Sequence, residues 1–265
     1  MGITRIEERF AAKPKKPALV IYLTVGDPSV EDTLECALAA LEAGADMLEL
    51  GVPFSDPTAD GPVIAAASYR AIHRGGSLRA ALSVAEQIRK KRSEPLILFT
   101  YYNPVVAYGE RALVDAAESA GADGFLVVDL PPEEGATLRN AAREQKLAMV
   151  PLVAPTTGRE REPRVLSGAS GFVYYVSVTG VTGAKAPLAD AARDAAALRE
   201  RAGLPVVVGF GIRTPEDVRT VTNAGVDGVV VGTEVVRVVS EASTREARRS
   251  AVAALVGRLR RGLDS

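Results

Sequence analysis

Short apolar runs rich in valine, leucine, isoleucine and aromatic residues recur along the chain. Nearly continuous hydrophobicity over such short runs is typical of strands that are buried on both faces. Eight strands are predicted in this way: Leu19–Thr24, Met47–Leu50, Leu96–Tyr101, Gly124–Val128, Ala148–Val153, Gly171–Val176, Pro205–Gly209 and Gly228–Val231. Alanine-rich stretches with helical spacing lie between them, as in Thr33–Ala43, Arg111–Ala120 and Leu188–Ala202. The pattern therefore indicates alternating strands and helices.

A short phrase repeats at three predicted helix-to-strand junctions. Ala43-Gly44-Ala45-Asp46, Ala120-Gly121-Ala122-Asp123 and Ala224-Gly225-Val226-Asp227 each come directly before a strand. Glycine after a helical stretch is the expected C-terminal stop. Eight strands in a 265-residue chain without a Pro/Gly/Ser-rich linker predict an α/β protein, a single-domain (β/α)8 TIM barrel over residues 1–265. An open, doubly wound parallel sheet is the structural alternative.

The segments outside this regular alternation are predicted to close the two ends of the barrel. Residues 1–17 form a lead-in with a short lid helix at the bottom, opened by a capping box at Thr4-Arg5-Ile6-Glu7. The longest loops follow strand two, at Gly51–Ala65, and strand six, at Thr179–Lys185. Both leave the C-terminal ends of strands, the face on which barrel enzymes carry their sites.

The charge balance and the numbers of cysteine and histidine argue against several classes of protein. The 32 basic and 33 acidic residues nearly balance, so no footprint for nucleic acid is expected. The single cysteine, Cys36, and the single histidine, His73, exclude an internal disulfide and predict no metal site. One cysteine suits the reducing cytoplasm, so we expect a cytoplasmic protein. No membrane contact is expected, because no apolar run reaches the roughly 18 residues that span a bilayer.

Glu49 stands out because it lies inside an apolar strand, near the strand's C-terminal end. Burial raises a carboxyl pKa towards neutrality, which suits a general acid or base. The alternative is a strand-end glutamate that reaches solvent or an arginine. In the following loop Asp60 is a better second carboxylate than Asp56, although turn formation alone would also explain either aspartate.

Glycines after strands seven and eight indicate an anion site. Gly209-Phe210-Gly211-Ile212 and Gly232-Thr233 occupy the loops between which barrels often bind phosphate, next to a helix N-terminus. Tight turns without a ligand are the alternative. Thr182-Gly183, after strand six, would add a donor or form a closing flap. Three tyrosines lie on or at the ends of strands and would line an aromatic pocket or pack in the core: Tyr22, Tyr101 and Tyr174.

Seven stretches in chain order resemble the tryptophan synthase alpha chain family. The most selective is ELGVPFSDPTADGP, from Glu49 to Pro62. The others are YLTVGDP (Tyr22–Pro28), LFTYYNP (Leu98–Pro104), LVVDLPPEE (Leu126–Glu134), VSVTGVTGAK (Val176–Lys185), VGFGI (Val208–Ile212) and VVVGT (Val229–Thr233). The resemblance implies a lyase of tryptophan biosynthesis that cleaves indole-3-glycerol phosphate to indole and glyceraldehyde 3-phosphate. It also implies no cofactor in this chain and an α2β2 heterotetramer with a beta chain that holds pyridoxal phosphate.

The resemblance implies a role for each matching position. Glu49 would be the catalytic acid/base, Asp60 the carboxylate that faces the indole N–H, and Tyr174 an assisting group at the mouth. The other positions form a wall and flap around the substrate, a phosphate cradle and a partner surface. These are Tyr22, Phe99, Tyr101, Val128 and Leu152 with Thr182 (wall and flap), Gly183, Gly211, Gly232 and Thr233 (cradle), and Asp56, Asn103, Pro131 and Pro132 (partner surface).

The residue types also suit a retro-aldol cleavage on chemical grounds. Such a reaction requires a proton on indole C3, loss of a hydroxyl proton and stabilisation of the cationic ring, which Glu49 and Asp60 can provide. All lysines lie outside the predicted strands, which argues against a Schiff-base mechanism. Two alternatives remain: another phosphate-binding barrel isomerase or synthase, and a non-catalytic barrel that activates a beta-type partner.

Overall fold

The computed structural model describes residues 2–13, 16–176, 188–209 and 211–264. Its parallel strands lie in one sheet, and the predicted barrel is confirmed. The strands are β1 (Ala18–Thr24), β2 (Met47–Gly51), β3 (Leu96–Thr100), β4 (Gly124–Val127), β5 in two segments (Ala148–Met149 and Leu152–Val153), β6 (Val173–Val176), β7 (Val206–Gly209) and β8 (Gly228–Val231). Apart from β5, the predicted strand ends are correct to within two residues.

One helix precedes the first strand, and the other helices follow the strands on the outside of the sheet. They are α1 (Ile3–Ala11), α2 (Val30–Glu42), α3 (Pro62–Ile72), α4 (Leu78–Arg89), α5 (Tyr102–Tyr108), α6 (Glu110–Ser119), α7 (Ala136–Glu144), α8 (Glu162–Leu166), α9 (Leu188–Ala202), α10 (Pro215–Thr222), α11 (Thr233–Glu241) and α12 (Arg245–Asp264). Within the described residues, none of these helices combines the length and the apolar character needed to cross a membrane.

The sheet closes into a barrel through β5. Its order runs from the first β5 segment through β4, β3, β2, β1, β8, β7 and β6 to the second β5 segment. The first segment pairs with β4 and the second with β6. The single predicted strand Ala148–Val153 is divided because Pro151 has no N–H to donate to β6. Tyr174 N still donates to the Pro151 carbonyl at 3.0 Å, which keeps the wall closed.

Alternation along the strands divides the apolar side chains into two clusters. Outward-facing residues such as Ile21 and Leu48 pack against the helices in the larger cluster. Inward-facing residues such as Val20 and Met47 fill the barrel. Since successive side chains of a strand point to opposite faces, Glu49 shares the inward face with Met47. The fold thus directs a carboxyl into the barrel interior.

Helix α1 lies across the N-terminal ends of the strands, at the bottom of the barrel. Its Ile6 is fully buried in the inner cluster together with Phe172. The predicted capping box is wrong, because the helix begins at Ile3 and Gly2 occupies the N-cap position without a side-chain hydrogen bond. Thr4 therefore lies within the first turn, where the burial of Ile6, rather than a cap, fixes the helix.

Each aspartate of the repeated Ala-Gly-x-Asp phrase binds the strand next to its own. Its carboxylate accepts a hydrogen bond from an amide at the start of that strand, and its own N–H donates to the carbonyl of the same residue. The carboxylate bonds join Asp46 to Leu19 N at 2.8 Å, Asp123 to Leu96 N at 2.8 Å and Asp227 to Val206 N at 3.0 Å. The repeat is thus a structural device at the barrel bottom, in addition to the helix stop that the sequence predicted.

Arginines neutralise these carboxylates. Asp123, which is fully buried, pairs with Arg5 at 2.6 Å and with Arg89 at 2.7 Å. The corresponding pairs of the other two aspartates are Asp46 with Arg9 and Arg260, and Asp227 with Arg199. Charge at this end of the barrel is therefore used for stability and lies far from the strand C-termini.

Candidate active site

A cavity opens among the C-terminal ends of the strands and the loops that follow them. Its lining combines two carboxyls, three aromatic rings, aliphatic side chains, two glycines and one cation. These residues are Tyr22, Glu49, Asp60, Ile64, Phe99, Tyr174, Gly211, Ile212, Arg213, Val230, Gly232 and Thr233. The cavity therefore offers an apolar wall with a few polar groups, as small-molecule sites do.

Glu49 is the unusual group of this cavity. Its side chain has no solvent exposure, and neither carboxyl oxygen has a hydrogen-bond partner among the described residues. Burial raises the pKa of this carboxyl to about 8. Buried polar atoms are normally paired, so an unpaired carboxyl that lines a cavity is suited to a bound molecule. Near pH 7 Glu49 carries a proton that it can donate.

Asp60 reaches the cavity from the loop between β2 and α3. Burial raises the pKa of Asp60 to about 6, and a hydrogen bond from the Tyr101 hydroxyl opposes this rise. The same hydroxyl accepts a bond from Ala59 N at 3.0 Å. Tyr101, directly after β3, thus holds the loop at Ala59 and at Asp60. Asp60 is ionised near pH 7, whereas Glu49 is not, so the two carboxyls suit opposite roles.

The aromatic wall stands between these carboxyls and the barrel core. The rings of Tyr22 and Phe99 meet edge to face with centroids 5.3 Å apart, and Phe99 and Tyr174 are 6.5 Å apart. Burial raises the pKa of both tyrosines, which therefore stay neutral. A Cβ at Gly51 would lie 2.2 Å from the Tyr22 hydroxyl, so glycine is required beside this ring.

The opposite end of the cavity is rich in exposed backbone. Gly211 has a φ of +81°, a left-handed conformation that favours glycine. Gly232 precedes Thr233, the first residue of α11, and no side chain caps this helix N-terminus. Free N–H groups and the helix dipole there favour an anion, and the Thr233 hydroxyl adds a donor.

Most of the predicted site residues meet around this one cavity. Val128 and Leu152 line a neighbouring cavity and pack against the inner cluster, while Tyr101 acts through the loop. Thr182 and Gly183 lie outside the described residues. Four lining residues were missed by the sequence analysis: Ile64, Ile212, Arg213 and Val230. Val230 could have been found, because it shares the inward face of β8 with Gly232.

The predicted partner surface lies at the same end of the barrel, on the segments that follow β2, β3 and β4. Asp56 and Asn103 are exposed, and Pro131 and Pro132 are half-buried after β4. None of these four lines the cavity that holds Glu49. Across the described part of the chain, no three His, Cys, Asp or Glu side chains are grouped so that they would hold a metal ion.

A family profile and two relatives of this chain carry the same description. The family profile of the tryptophan synthase alpha chain matches residues 10–263. The tryptophan synthase alpha chain of Geotalea daltonii is 46% identical over 245 residues, which cover 91% of this chain and 92% of that protein. That of Geobacter sp. strain M21 is 48% identical over 240 residues, 89% of each chain.

Two solved structures that are similar to this chain also belong to tryptophan synthases. Tryptophan synthase subunit alpha from Legionella pneumophila has a TM-score of 0.88 at 36% identity, covering 100% of this chain and 99% of its own. A chain of the tryptophan synthase α2β2 complex from Pyrococcus furiosus has a TM-score of 0.81 at 38% identity, covering 92% of this chain and 98% of its own.

Proposed function

The chain belongs to the tryptophan synthase alpha chain family, and on that premise we propose how its cavity carries out the family's reaction. That reaction cleaves indole-3-glycerol phosphate to indole and glyceraldehyde 3-phosphate in tryptophan biosynthesis. The alpha chain uses no cofactor, since the pyridoxal phosphate of the family belongs to the beta chain. One observation carries the proposal: the buried carboxyl of Glu49, without a hydrogen-bond partner among the described residues, lines the same cavity as the carboxyl of Asp60.

Glu49 starts the reaction by donating its proton to indole C3. The ring then carries a positive charge that is shared with its nitrogen. Asp60 accepts a hydrogen bond from the indole N–H, and this bond strengthens as the charge develops. Phe99 and Tyr22 supply the apolar wall for the ring, and Tyr174 stands beside them as a neutral donor.

Glu49 also completes the proton cycle. After the first transfer it is a carboxylate, a strong base in its buried position, and it takes the proton of the hydroxyl on the carbon attached to C3. That oxygen becomes the aldehyde oxygen, the bond from C3 to this carbon breaks, and its electron pair returns to the ring. Indole and glyceraldehyde 3-phosphate are the products, and Glu49 is protonated again. The phosphate is held by the N–H groups of Gly211, Gly232 and Thr233.

The proposal is tested by replacing Glu49 with glutamine and measuring indole release. Glu49→Gln keeps the volume and removes the proton, so turnover should fall by at least about 10²-fold while substrate still binds. The matched control is Glu86→Gln, on the exposed side of α4, which should keep normal turnover. If Glu49→Gln retains more than about a tenth of the turnover, Glu49 is not the acid. If the unmodified chain releases no indole, either alone or with a beta chain, the result favours a non-catalytic barrel.

The partner in this proposal is a beta chain, bound at the mouth loops to form an α2β2 assembly. The Pyrococcus furiosus relative comes from a study of mutual activation in such a complex. Asp56, on the loop after β2, and Asn103, in the first turn of α5 after β3, are exposed at the end of the barrel where the cavity opens. A beta chain bound there would contact the loop that carries Asp60.

We also propose that residues 1–265 act as one domain in the cytoplasm. One hydrogen-bonded sheet runs from β1 to β8, which supports a single cooperative unit. The only cysteine, Cys36, is a buried free thiol in α2, as suits a reducing compartment. Two separate unfolding transitions would contradict the first statement, and recovery of the protein outside the cytoplasmic fraction of its cell would contradict the second.

A further inference from the structure

Arg213 brings the only cation to the cavity lining that the structure describes. It follows Gly211 and Ile212 after β7, at the end of the cavity formed by Gly232 and Thr233. The two carboxyls of the lining, Glu49 and Asp60, come from β2 and the loop after it. The cavity therefore carries acids on one side and a cation on the glycine-rich side.

The backbone of Arg213 is fixed at this position. Asp217 accepts hydrogen bonds from Arg213 N at 2.9 Å and from Thr214 N at 3.0 Å. Thr214 in turn caps α10 by accepting from Asp217 N at 3.1 Å. These bonds hold the start of the Arg213 side chain at the cavity rim, so little backbone ordering is needed when a ligand arrives.

The guanidinium of Arg213 is exposed and forms no ion pair with a carboxylate of the described residues. Apart from Asp217, which binds its backbone, Arg213 also acts on Glu234 in the first turn of α11, whose pKa is lowered mainly by Arg237 and to a smaller extent by Arg213. Arg237 already binds both oxygens of Glu234, at 2.9 and 2.5 Å. Arg213 thus lies near this helix N-terminus with its hydrogen-bond donors available.

The charges at the N-terminus of α11 do not by themselves balance a bound phosphate, and Arg213 supplies a further positive charge. A helix N-terminus provides about half a positive charge, whereas a phosphate monoester carries nearly two negative charges. Glu234, one residue after Thr233, adds a negative charge beside the same amides. Arg237 pairs with Glu234 and offsets its negative charge, so Arg237 leaves the charge of the phosphate unbalanced. A cation that faces the cavity, as Arg213 does, would balance the charge that remains on the phosphate.

We propose that Arg213 is a positioning residue for the phosphate of the substrate, which it binds through charge-assisted hydrogen bonds alongside the amides of Gly211, Gly232 and Thr233. The inference rests on the proposed function in placing the phosphate at this end of the cavity. Arg213 contacts no reacting atom. It raises affinity for phosphorylated ligands and leaves the chemical step unchanged, because the phosphate is remote from indole C3.

The test compares two variants that remove one positive charge each. Arg213→Gln removes the cation at the cavity, and Arg261→Gln removes an exposed cation from α12 that does not line the cavity. Inhibition of indole release by sn-glycerol 3-phosphate is measured for both and for the unmodified chain. Arg213→Gln should raise the inhibition constant about five- to tenfold, the range of an exposed charge-assisted hydrogen bond, and Arg261→Gln should not.

Further measurements separate this role from a general structural one. Arg213→Gln should raise KM by a similar factor with kcat nearly unchanged, and inhibition by indole, which has no phosphate, should stay the same. Arg213→Lys should recover part of the loss. The effect of Arg213 should shrink at high salt, because exposed charges are screened.

Two results would overturn the inference in distinguishable ways. If glycerol phosphate inhibits all three proteins with the same constant, the phosphate site stands and Arg213 takes no part in it. If glycerol phosphate inhibits none of them at millimolar concentration, the phosphate end of the proposed function fails, and the inference fails with it.

Discussion

The hydroxyl of Tyr174 occupies the space beside Gly209 that a side chain there would need. A Cβ at Gly209 would lie 2.0 Å from Tyr174 Oη and 2.2 Å from Cζ. The two residues sit on neighbouring strands, β6 and β7, and Tyr174 lines the cavity with Glu49. The glycine after the apolar run of β7 is therefore needed to seat a tyrosine of the site.

We predict that Gly209→Ala displaces Tyr174 and lowers both stability and indole release. Overpacking of this kind costs roughly 1–3 kcal/mol of unfolding free energy. Adding Tyr174→Leu should recover most of that stability, because both clashing atoms are removed, but it should not recover activity. Gly158→Ala is the control, since a Cβ there meets no atom within 4 Å. Equal stability of Gly209→Ala and Gly158→Ala in urea unfolding would contradict the packing argument.

The pH dependence of kcat/KM should be bell-shaped. The reaction needs Asp60 ionised, so activity rises as pH passes the pKa of Asp60, about 6. It also needs Glu49 protonated, so activity falls as pH passes the pKa of Glu49, about 8. Asp60→Asn should remove the acidic limb in the residual activity. A profile that continues to rise above pH 9 would exclude Glu49 as the initial acid.

Glu49 should also make the protein less stable as pH rises. Its pKa is raised from an ordinary 4.5 to about 8, so between these values the folded protein keeps a proton that the unfolded chain has lost. The contribution of this group to unfolding free energy then falls by up to about 1.4 kcal/mol per pH unit. Glu49→Gln should lack that part of the slope in urea unfolding at pH 5 to 8. Identical slopes for the two proteins would mean that the carboxyl is not buried.

Asp123 should be important for stability and unimportant for chemistry. Asp123→Asn leaves Arg5 and Arg89 without their shared countercharge at the barrel bottom, and breaking a buried pair costs roughly 3–5 kcal/mol. Removing the exposed Glu86–Lys90 pair with Glu86→Gln should change stability by less than about 1 kcal/mol. At temperatures where it is folded, Asp123→Asn should keep normal kcat. A loss of kcat with unchanged stability would reverse this assignment.

A beta chain should activate this chain through the loop after β2. Asp56 is exposed on that loop, four residues before Asp60. Asp56→Ala should therefore weaken activation by an added beta chain more than it weakens the isolated chain. By linkage, glycerol phosphate should tighten the complex if closure of the site favours partner binding. Full activity alone, with no complex at micromolar concentrations, would contradict the partner model.

The sequence predicts best what local patterns determine. Glu49 is recognisable because it is a charge in an apolar strand, and Gly232-Thr233 because it follows the last strand. The sequence does not predict pairs that fold together from distant segments, such as Arg5 with Asp123, because no local pattern joins them. Ile64 was missed for a similar reason: its place in the cavity depends on how α3 packs over the barrel, not on its own spacing.

The eight strands of the barrel are not equally well paired with their neighbours. In β5 neither segment is paired in register on both sides, since the first is bonded to β4 and the second to β6. The strand residues that line the cavity belong to the other arc, with Tyr174 on β6, Tyr22 on β1, Glu49 on β2 and Phe99 on β3. Along that arc each strand is laddered to the next. Local opening of the barrel should therefore occur first at β5. The distances that separate Glu49 from the aromatic wall and from the glycines of the anion site can stay constant during such opening.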